Sequence, residues 1–566
     1  LAGVTFIDPD EGMYGSIARA MAESGDWITP RFDGVRYLNK PPLLFWLSAL
    51  TFKTFGPSEW GVRLWSALPA FGTALLVALI ARLTYGRPAG MFSAPIFASS
   101  VGTFVYAHMT LTDPLFILSL TLAMTAGVLA LFADRTSTPR AGPPLLFYFA
   151  LGFGALAKGV PAVLLPVGIF VMFGVFNKAA AEILYRSLVA NRYAALGIAL
   201  WFAIVAPWHI LAARANPGFA QYYFLDNQLL RFATGKSLIE DDVSVTTPMF
   251  LALVLVWFLP WSLLLPAALK AAWAKDDAAQ AGRAALRRLP LIWAVVVLGF
   301  FSLSSSKLEH YSLPALPALA LFVGGWWTER LARPATRPFQ WPALALLVFA
   351  ALATALFHWG PTVSTTELFN LSTMMGYYRT IRAQGYAFPS GAAALTDIIV
   401  RAVLTLLLGI AAATWLASFT RVKSAFAALL IAAAGIFLLL FRLIILLEPY
   451  HSSKPVADAV LQRAGAADLI LHEDPLEYSG GLVYYTNRRV YIVNGRRGSL
   501  EFGSRFPDAG ELFLDSADLA RLWGSDKRIF FVTRLPPERS ALRLVPHGAF
   551  VFLGEYGARR LYTNRE

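Results

Sequence analysis

The 566-residue sequence contains no cysteine. Disulfides, thiolate nucleophiles and cysteine-ligated zinc are thereby excluded, and the absence fits a chain with large exported portions. Charge is scarce as well, at 15% of residues against 57% hydrophobic, where soluble domains carry about a quarter charged. With a mean hydropathy of +0.56, the composition is that of an integral membrane protein. The net charge is +13, but the basic residues sit in short clusters between apolar runs. No basic face or aromatic RNA-binding motif accompanies them, which argues against nucleic acid as a partner.

Apolar runs place twelve membrane spans near 61–81, 89–108, 112–133, 145–158, 160–176, 193–213, 248–270, 289–304, 311–328, 341–358, 396–417 and 424–447. Alternate connections hold the basic clusters, such as Lys178, Arg186 and Arg192 or Arg330, Arg333 and Arg337, and are assigned to the cytoplasm. The opposite connections, 1–60, 109–112, 214–247, 304–311, 359–395 and everything after 448, then face outward. This divides the chain into a transmembrane domain, 1–448, with an outer loop at 1–60, and an extracytoplasmic domain, 449–566. The latter alternates strand-like runs (LILHED, GLVYYT, RVYIV, RIFFVT, FVFLGEY, RRLYTN) with helical stretches at 454–464 and 515–523, a βαβ-like signal. It contains neither G-x-G-x-x-G nor G-x-x-x-x-G-K-[ST], so no nucleotide site is expected in it.

The first outer stretch, residues 7–46, sets Asp8, Asp10, Glu11, Arg36 and Lys40 beside membrane-grade apolar sequence. Met13, Ile17, Ala20 and Met21 recur at three- and four-residue steps, predicting a short amphipathic helix over 12–22 lying on a membrane surface. Lys40-Pro41-Pro42 then breaks the chain, and a new apolar segment starts at Leu43. Farther on, Asp113 stands at the outer rim of a span, where an N-cap is the structural alternative to a cavity residue. Lys158 lies between two apolar segments, and snorkelling explains it equally well. Residues 214–235 mix aromatics with Asp226 and Arg231, as an interfacial aromatic belt also would. Ser304 to Tyr311 interrupts apolar sequence with Lys307, Glu309, His310 and Tyr311, for which a solvated turn is the plain reading.

Outside the cytoplasm, glycosyl transfer draws its sugar from a polyprenyl phosphate rather than a nucleotide. Such a site needs a carboxylate for the acceptor proton, cations for the departing phosphate and an apolar groove for the lipid. The outer loops offer Asp10, Glu11 and Asp113 as carboxylates, Lys40, Arg231 and Lys307 as cations, and Tyr311 as a hydroxyl donor. Arg36 and Lys158 are further candidates for the substrate phosphate. A transporter or lipid-binding protein would instead bury charge in mid-span or repeat itself in inverted halves, and neither pattern is present.

The run DPDEGMYGSIARAMAESGDWITPRFDGVRYLNKPPLLFW resembles the first outer loop of lipid-phosphate-sugar-dependent membrane glycosyltransferases of the GT-C type. That group holds the 4-amino-4-deoxy-L-arabinose lipid A transferases and is related to the protein O-mannosyltransferases. Matches at TDPL (112–115), LAKG (156–159), PGF (217–219) and SSSKLEHYSLP (304–314) extend the resemblance along the membrane part. It implies a polytopic helical protein of the bacterial inner membrane, with thirteen spans, hence one preceding residue 1, a C-terminal α/β domain and a site facing the periplasm. It implies an inverting transferase moving a sugar from undecaprenyl phosphate to lipid A or another envelope glycan, with protein O-glycosylation as the second reading. By matched position, Asp10 acts on the acceptor, Asp113 is a second acid of the cavity, and Lys40, Arg231 and Tyr311 hold the carrier phosphate. Asn39 and Asp226 depart from the pattern at positions where relatives carry Glu and, in a metal-binding member, His. No metal cofactor is therefore expected, although Asp8, Asp10 and Asp226 leave a hard cation open.

Overall fold

A computed structural model describes residues 3–132, 140–234, 245–272, 281–332, 386, 391–546 and 549–565. Among these, six helices are long and apolar enough to cross a membrane, among them Glu59–Tyr85, Asp113–Phe132, Ala194–Ala215 and Val422–His451. Two further expected spans are each broken into two helices. Arg87–Ala98 and Val101–Ala107 meet at 61°, and Thr247–Trp257 and Trp261–Lys270 at 101°. Counting each pair once gives up to eight, fewer than the twelve expected, chiefly because Gly142–Lys158, Pro161–Phe176 and Leu316–Ala332 are only 16 or 17 residues long. The expected span at 341–358 lies outside the described residues. Apolar side chains such as Phe71, Val171, Phe176, Leu408 and Leu438 face outward from these helices, as a lipid environment requires.

The outer loop packs against the polar C-terminal segment instead of lying open. Its helix, Asp10–Ser24, is buried in protein along most of its length, including Met13, Tyr14, Ile17 and Met21, where its periodicity suggested a single apolar face. It packs against Leu43–Phe55 and against a C-terminal helix, Gly480–Thr486. The latter approach is close enough that a Cβ on Gly12 would lie 2.1 Å from the amide nitrogen of Gly481. After the helix, β1 (Arg31–Phe32) and β2 (Val35–Arg36) form a hairpin through Asp33 and Gly34, both at positive φ, as a two-residue Asp-Gly turn demands.

The C-terminal sheet has six strands: β3 (Leu469–Glu473), β4 (Val490–Val493), β5 (Phe513–Leu514), β6 (Ile529–Thr533), β7 (Val551–Tyr556) and β8 (Arg559–Thr563). The order is β5-β4-β3-β6-β8-β7, parallel from β5 to β6 and antiparallel beyond. β6 is buried at every position, the pattern of a central strand covered on both faces. The run GLVYYT, read as a strand from its aromatic and β-branched content, is helical. Its glycines are what let it pack onto the Asp10–Ser24 helix.

Candidate active site

A cavity of about 220 Å³ lies where the outer loop, the span ends and the C-terminal segment meet. It is lined by Asp10, Lys40, Asp113, Lys158, Arg231 and Tyr311, six of the nine residues singled out from the sequence. They come from separate elements. Asp10 occupies the first turn of the Asp10–Ser24 helix, where the helix dipole favours a carboxylate. One turn on, Tyr14 hydrogen-bonds with Asp10 and with Tyr37, and both tyrosines also line the cavity.

Asp113 opens the Asp113–Phe132 helix and Lys158 closes Gly142–Lys158, so each charge sits at the helix end that stabilises it. Lys158 Nζ donates to Asp113 Oδ2 at 2.7 Å, and the pair is buried. His310 Nε2 stands 4.0 Å from the same oxygen, and the Lys158 ammonium lies 5.4 Å from the Tyr311 ring centre. Lys40 sits in the loop just before the two prolines. Burial pushes its ammonium down to about 8, helped by the neighbouring charges of Lys158 and Arg231 and opposed by Asp10 and Asp113. Arg231 follows a π-helical stretch, Gln221–Leu230, of the kind that often marks a functional site. A smaller cavity of about 90 Å³ shares Asn39, Lys40, Lys158, Arg231 and Tyr311 and adds the rings of Phe232, Phe300 and Phe301. The joint site is thus cationic in the middle, acidic on one side and aromatic on the other.

Three of the residues singled out lie elsewhere. Glu11 is buried and does not line the cavity; Arg63 Nη2 meets its Oε2 at 2.6 Å and the amide and hydroxyl of Thr110 donate to Oε1 at 2.8 and 3.0 Å. It ties the loop to the Glu59–Tyr85 span and to the connection that precedes Asp113. Arg36 donates to Asp508 at 3.0 Å and lies over the Phe506 ring at 4.1 Å. Asp508 also takes a bond from Arg31 at 2.8 Å, offsetting the repulsion of two arginines paired across the hairpin. Lys307 folds back to donate to the Ser304 carbonyl and lines neither cavity. Conversely, Tyr106, His310, His451, Tyr478 and Ser499 line the large cavity. A lone tyrosine or serine carries no sequence signal for this, whereas His310 stands in the polar interruption at Ser304 to Tyr311 already visible in the sequence.

The donor set does not suit a zinc-type centre. Asn39 Oδ1 accepts from the Tyr222 hydroxyl at 2.5 Å and from the Asn227 amide at 2.7 Å, so its one good ligand atom is committed. Asp226 lines neither cavity. His108 and His209 are bonded to carbonyls one turn back in their own helices. Among the described residues, no three His, Asp or Glu side chains gather into a cation cage.

The family model described as dolichyl-phosphate-mannose-protein mannosyltransferase matches residues 7–223, which carry Asp10, Lys40, Asp113 and Lys158. The undecaprenyl phosphate-alpha-4-amino-4-deoxy-L-arabinose arabinosyl transferase 1 of Pseudomonas fluorescens (strain Pf0-1) is 32% identical over 374 residues, covering 64% of this chain and 62% of that one. The corresponding transferase of Edwardsiella ictaluri (strain 93-146) is 31% identical over 373 residues, covering 64% and 63%. The crystal structure of ArnT from Cupriavidus metallidurans bound to undecaprenyl phosphate superposes with a TM-score of 0.78 at 24% identity, covering 99% of this chain and 94% of that one. The chain is thus similar in sequence to these transferases over about two-thirds of its length and shares the fold of the ArnT structure. In sequence, the match spans about three-fifths of the length of the curated relatives.

Proposed function

We propose that the protein transfers a sugar from undecaprenyl phosphate to an acceptor outside the cytoplasm, lipid A or another envelope glycan, with inversion at the anomeric carbon. The observation that carries this reading is the joint cavity, in which Lys40, Lys158 and Arg231 stand between the carboxylates of Asp10 and Asp113 and the rings of Phe232, Phe300 and Phe301. The aromatic end suits the first isoprene units of a carrier lipid. Lys40, Arg231 and the Tyr311 hydroxyl take the carrier phosphate, whose negative charge grows as it departs. Asp10 takes the proton of the acceptor hydroxyl. The acceptor oxygen then bonds to the anomeric carbon from the face opposite the phosphate, the bond from that carbon to the phosphate oxygen breaks, and undecaprenyl phosphate leaves. Asp113, neutralised by Lys158, orients the acceptor. Positive charge comes from side chains, so the reaction requires no divalent metal.

The names of the relatives support 4-amino-4-deoxy-L-arabinose as the sugar to try first. The match to the protein mannosyltransferase family model keeps a protein acceptor as the second reading. Purified protein incubated with a panel of undecaprenyl-phosphate sugars, with lipid A or peptide as acceptor, tests both. Release of free undecaprenyl phosphate is expected with at least one donor, and the mass of the product distinguishes the acceptors. No release with any donor overturns the transferase reading.

A further inference from the structure

Arg559 lies outside the cavity yet touches three pieces of its wall. It begins β8, and its side chain is fully buried together with that of Asp8. Nη2 donates to Asp8 Oδ2 at 2.9 Å, to the Tyr478 carbonyl at 2.7 Å and to the His451 carbonyl at 3.3 Å. Nη1 reaches the carbonyls of Ser452 and Tyr450 at 3.1 and 3.3 Å, and Nε the Ser479 hydroxyl at 2.8 Å. Asp8, Tyr478 and His451 all line the cavity, whereas Arg559 does not. One guanidinium therefore fastens the outer loop, the end of the last span and the C-terminal segment at the points where each contributes to the site.

Asp8 is held on every side. Its Oδ1 accepts from the Gly481 amide at 2.8 Å, its Oδ2 also accepts from the Ser453 hydroxyl, and its own amide donates to the His451 carbonyl at 3.2 Å. Asp10, two residues on, opens the helix that this anchor precedes. A buried ion pair is a poor device for stability alone, because apolar residues of the same volume often do as well. Its planar five-donor fork is a good device for fixing three backbones relative to one another.

We propose that Arg559 is a positioning residue for the transfer reaction, holding Asp8 and so setting the start of the Asp10–Ser24 helix in the register that carries the Asp10 carboxylate into the cavity. This rests on the transferase reading above. The decisive comparison uses the full chain with Arg559→Gln, Arg559→Lys and, as a control in the same domain, Glu473→Gln. Glu473 is buried and accepts from Thr533, Ser540 and the Ala541 amide at 2.6 Å each, away from the cavity. Turnover, donor KM, melting temperature and amide hydrogen exchange over residues 8–16 are read for each. Misplacing a catalytic group by about 1 Å costs on the order of 100-fold in rate, so Arg559→Gln should lose about that in kcat with donor KM within about threefold. Exchange over 8–16 should quicken, and Arg559→Lys, which keeps the charge but not the fork, should fall between. Glu473→Gln should lower the melting temperature without a selective loss of kcat. Wild-type kcat in folded Arg559→Gln overturns the proposal, as does a kcat loss that follows melting temperature equally in Glu473→Gln. Should Arg559→Gln not fold, Arg559→Lys decides alone by the same criteria. Absence of turnover in the wild-type protein with every donor is a failure of the transferase reading instead. The exchange measurement then still decides, and unchanged exchange over 8–16 in the Arg559 variants overturns the positioning role.

Discussion

Asp10 and Glu11 are neighbours in sequence with opposite situations. The first lines the cavity at the helix start; the second turns about 100° away and is consumed by Arg63 and Thr110. Asp10→Asn keeps the shape but cannot take the acceptor proton, so turnover should fall by about 100- to 10,000-fold with undecaprenyl phosphate binding intact. Retained turnover in an assay of carrier release would remove Asp10 from the role of base. Lys40→Ala and Arg231→Ala should both reduce turnover and weaken donor binding, and unchanged values in both would dismiss the phosphate clamp. Lys40 also makes a pH prediction. Its ammonium, lowered to about 8 by burial, is charged below that pH and neutral above it, so donor affinity should fall as pH rises through that region. Lys40→Arg, whose guanidinium stays charged beyond pH 12, should flatten the titration of donor affinity. From sequence, the charge types at this site were readable because charge is so rare in an apolar chain. Which of two adjacent carboxylates faces inward was not, since that depends on Arg63, fifty-two residues on.

Whole elements were legible where their pattern matched their surroundings. The strands β3 and β6 fall on LILHED and RIFFVT because their apolar runs agree with burial in a sheet, while β8 falls on RRLYTN although it buries Arg559 and Thr563. The run GLVYYT failed for the opposite reason: its residue types favour a strand, but packing against the Asp10–Ser24 helix selects a helix with glycines at the contact. The same contact explains why an amphipathic pattern became a buried helix, since the partner for its second face lies some 470 residues away. Gly12→Val would drive side-chain carbons into the backbone of Gly480 and Gly481 and onto Asp8. Overpacking of this kind typically costs about 1–3 kcal/mol, so thermal unfolding should begin measurably earlier, and an unchanged melting temperature would show that the two helices can part freely.

At the scale of the molecule, the loop and the C-terminal segment share one interface, with Arg36 on Asp508, the Val490 amide on Asp33 and Arg559 on Asp8. Both must then lie on one side of the membrane, and the distribution of basic residues predicts the outer one. A reporter fused after Glu566 should be labelled outside the cytoplasm, and cytoplasmic labelling would undo the placement of the proposed site. Exhaustive chelation should leave turnover intact, while a loss reversed by one added metal would show that the cavity recruits a cation. The contact between residues 8 and 559 also fixes the earliest moment at which the Asp8 pocket can be completed. Ribosomes add about 5–20 residues each second, so Asp8 emerges and waits roughly half a minute to two minutes before the arginine that completes its pocket has been made. Throughout that interval the spans between them are made while the Asp8 carboxylate lacks its buried guanidinium. The outer loop therefore reaches its final setting only after the strand that carries Arg559 has been made.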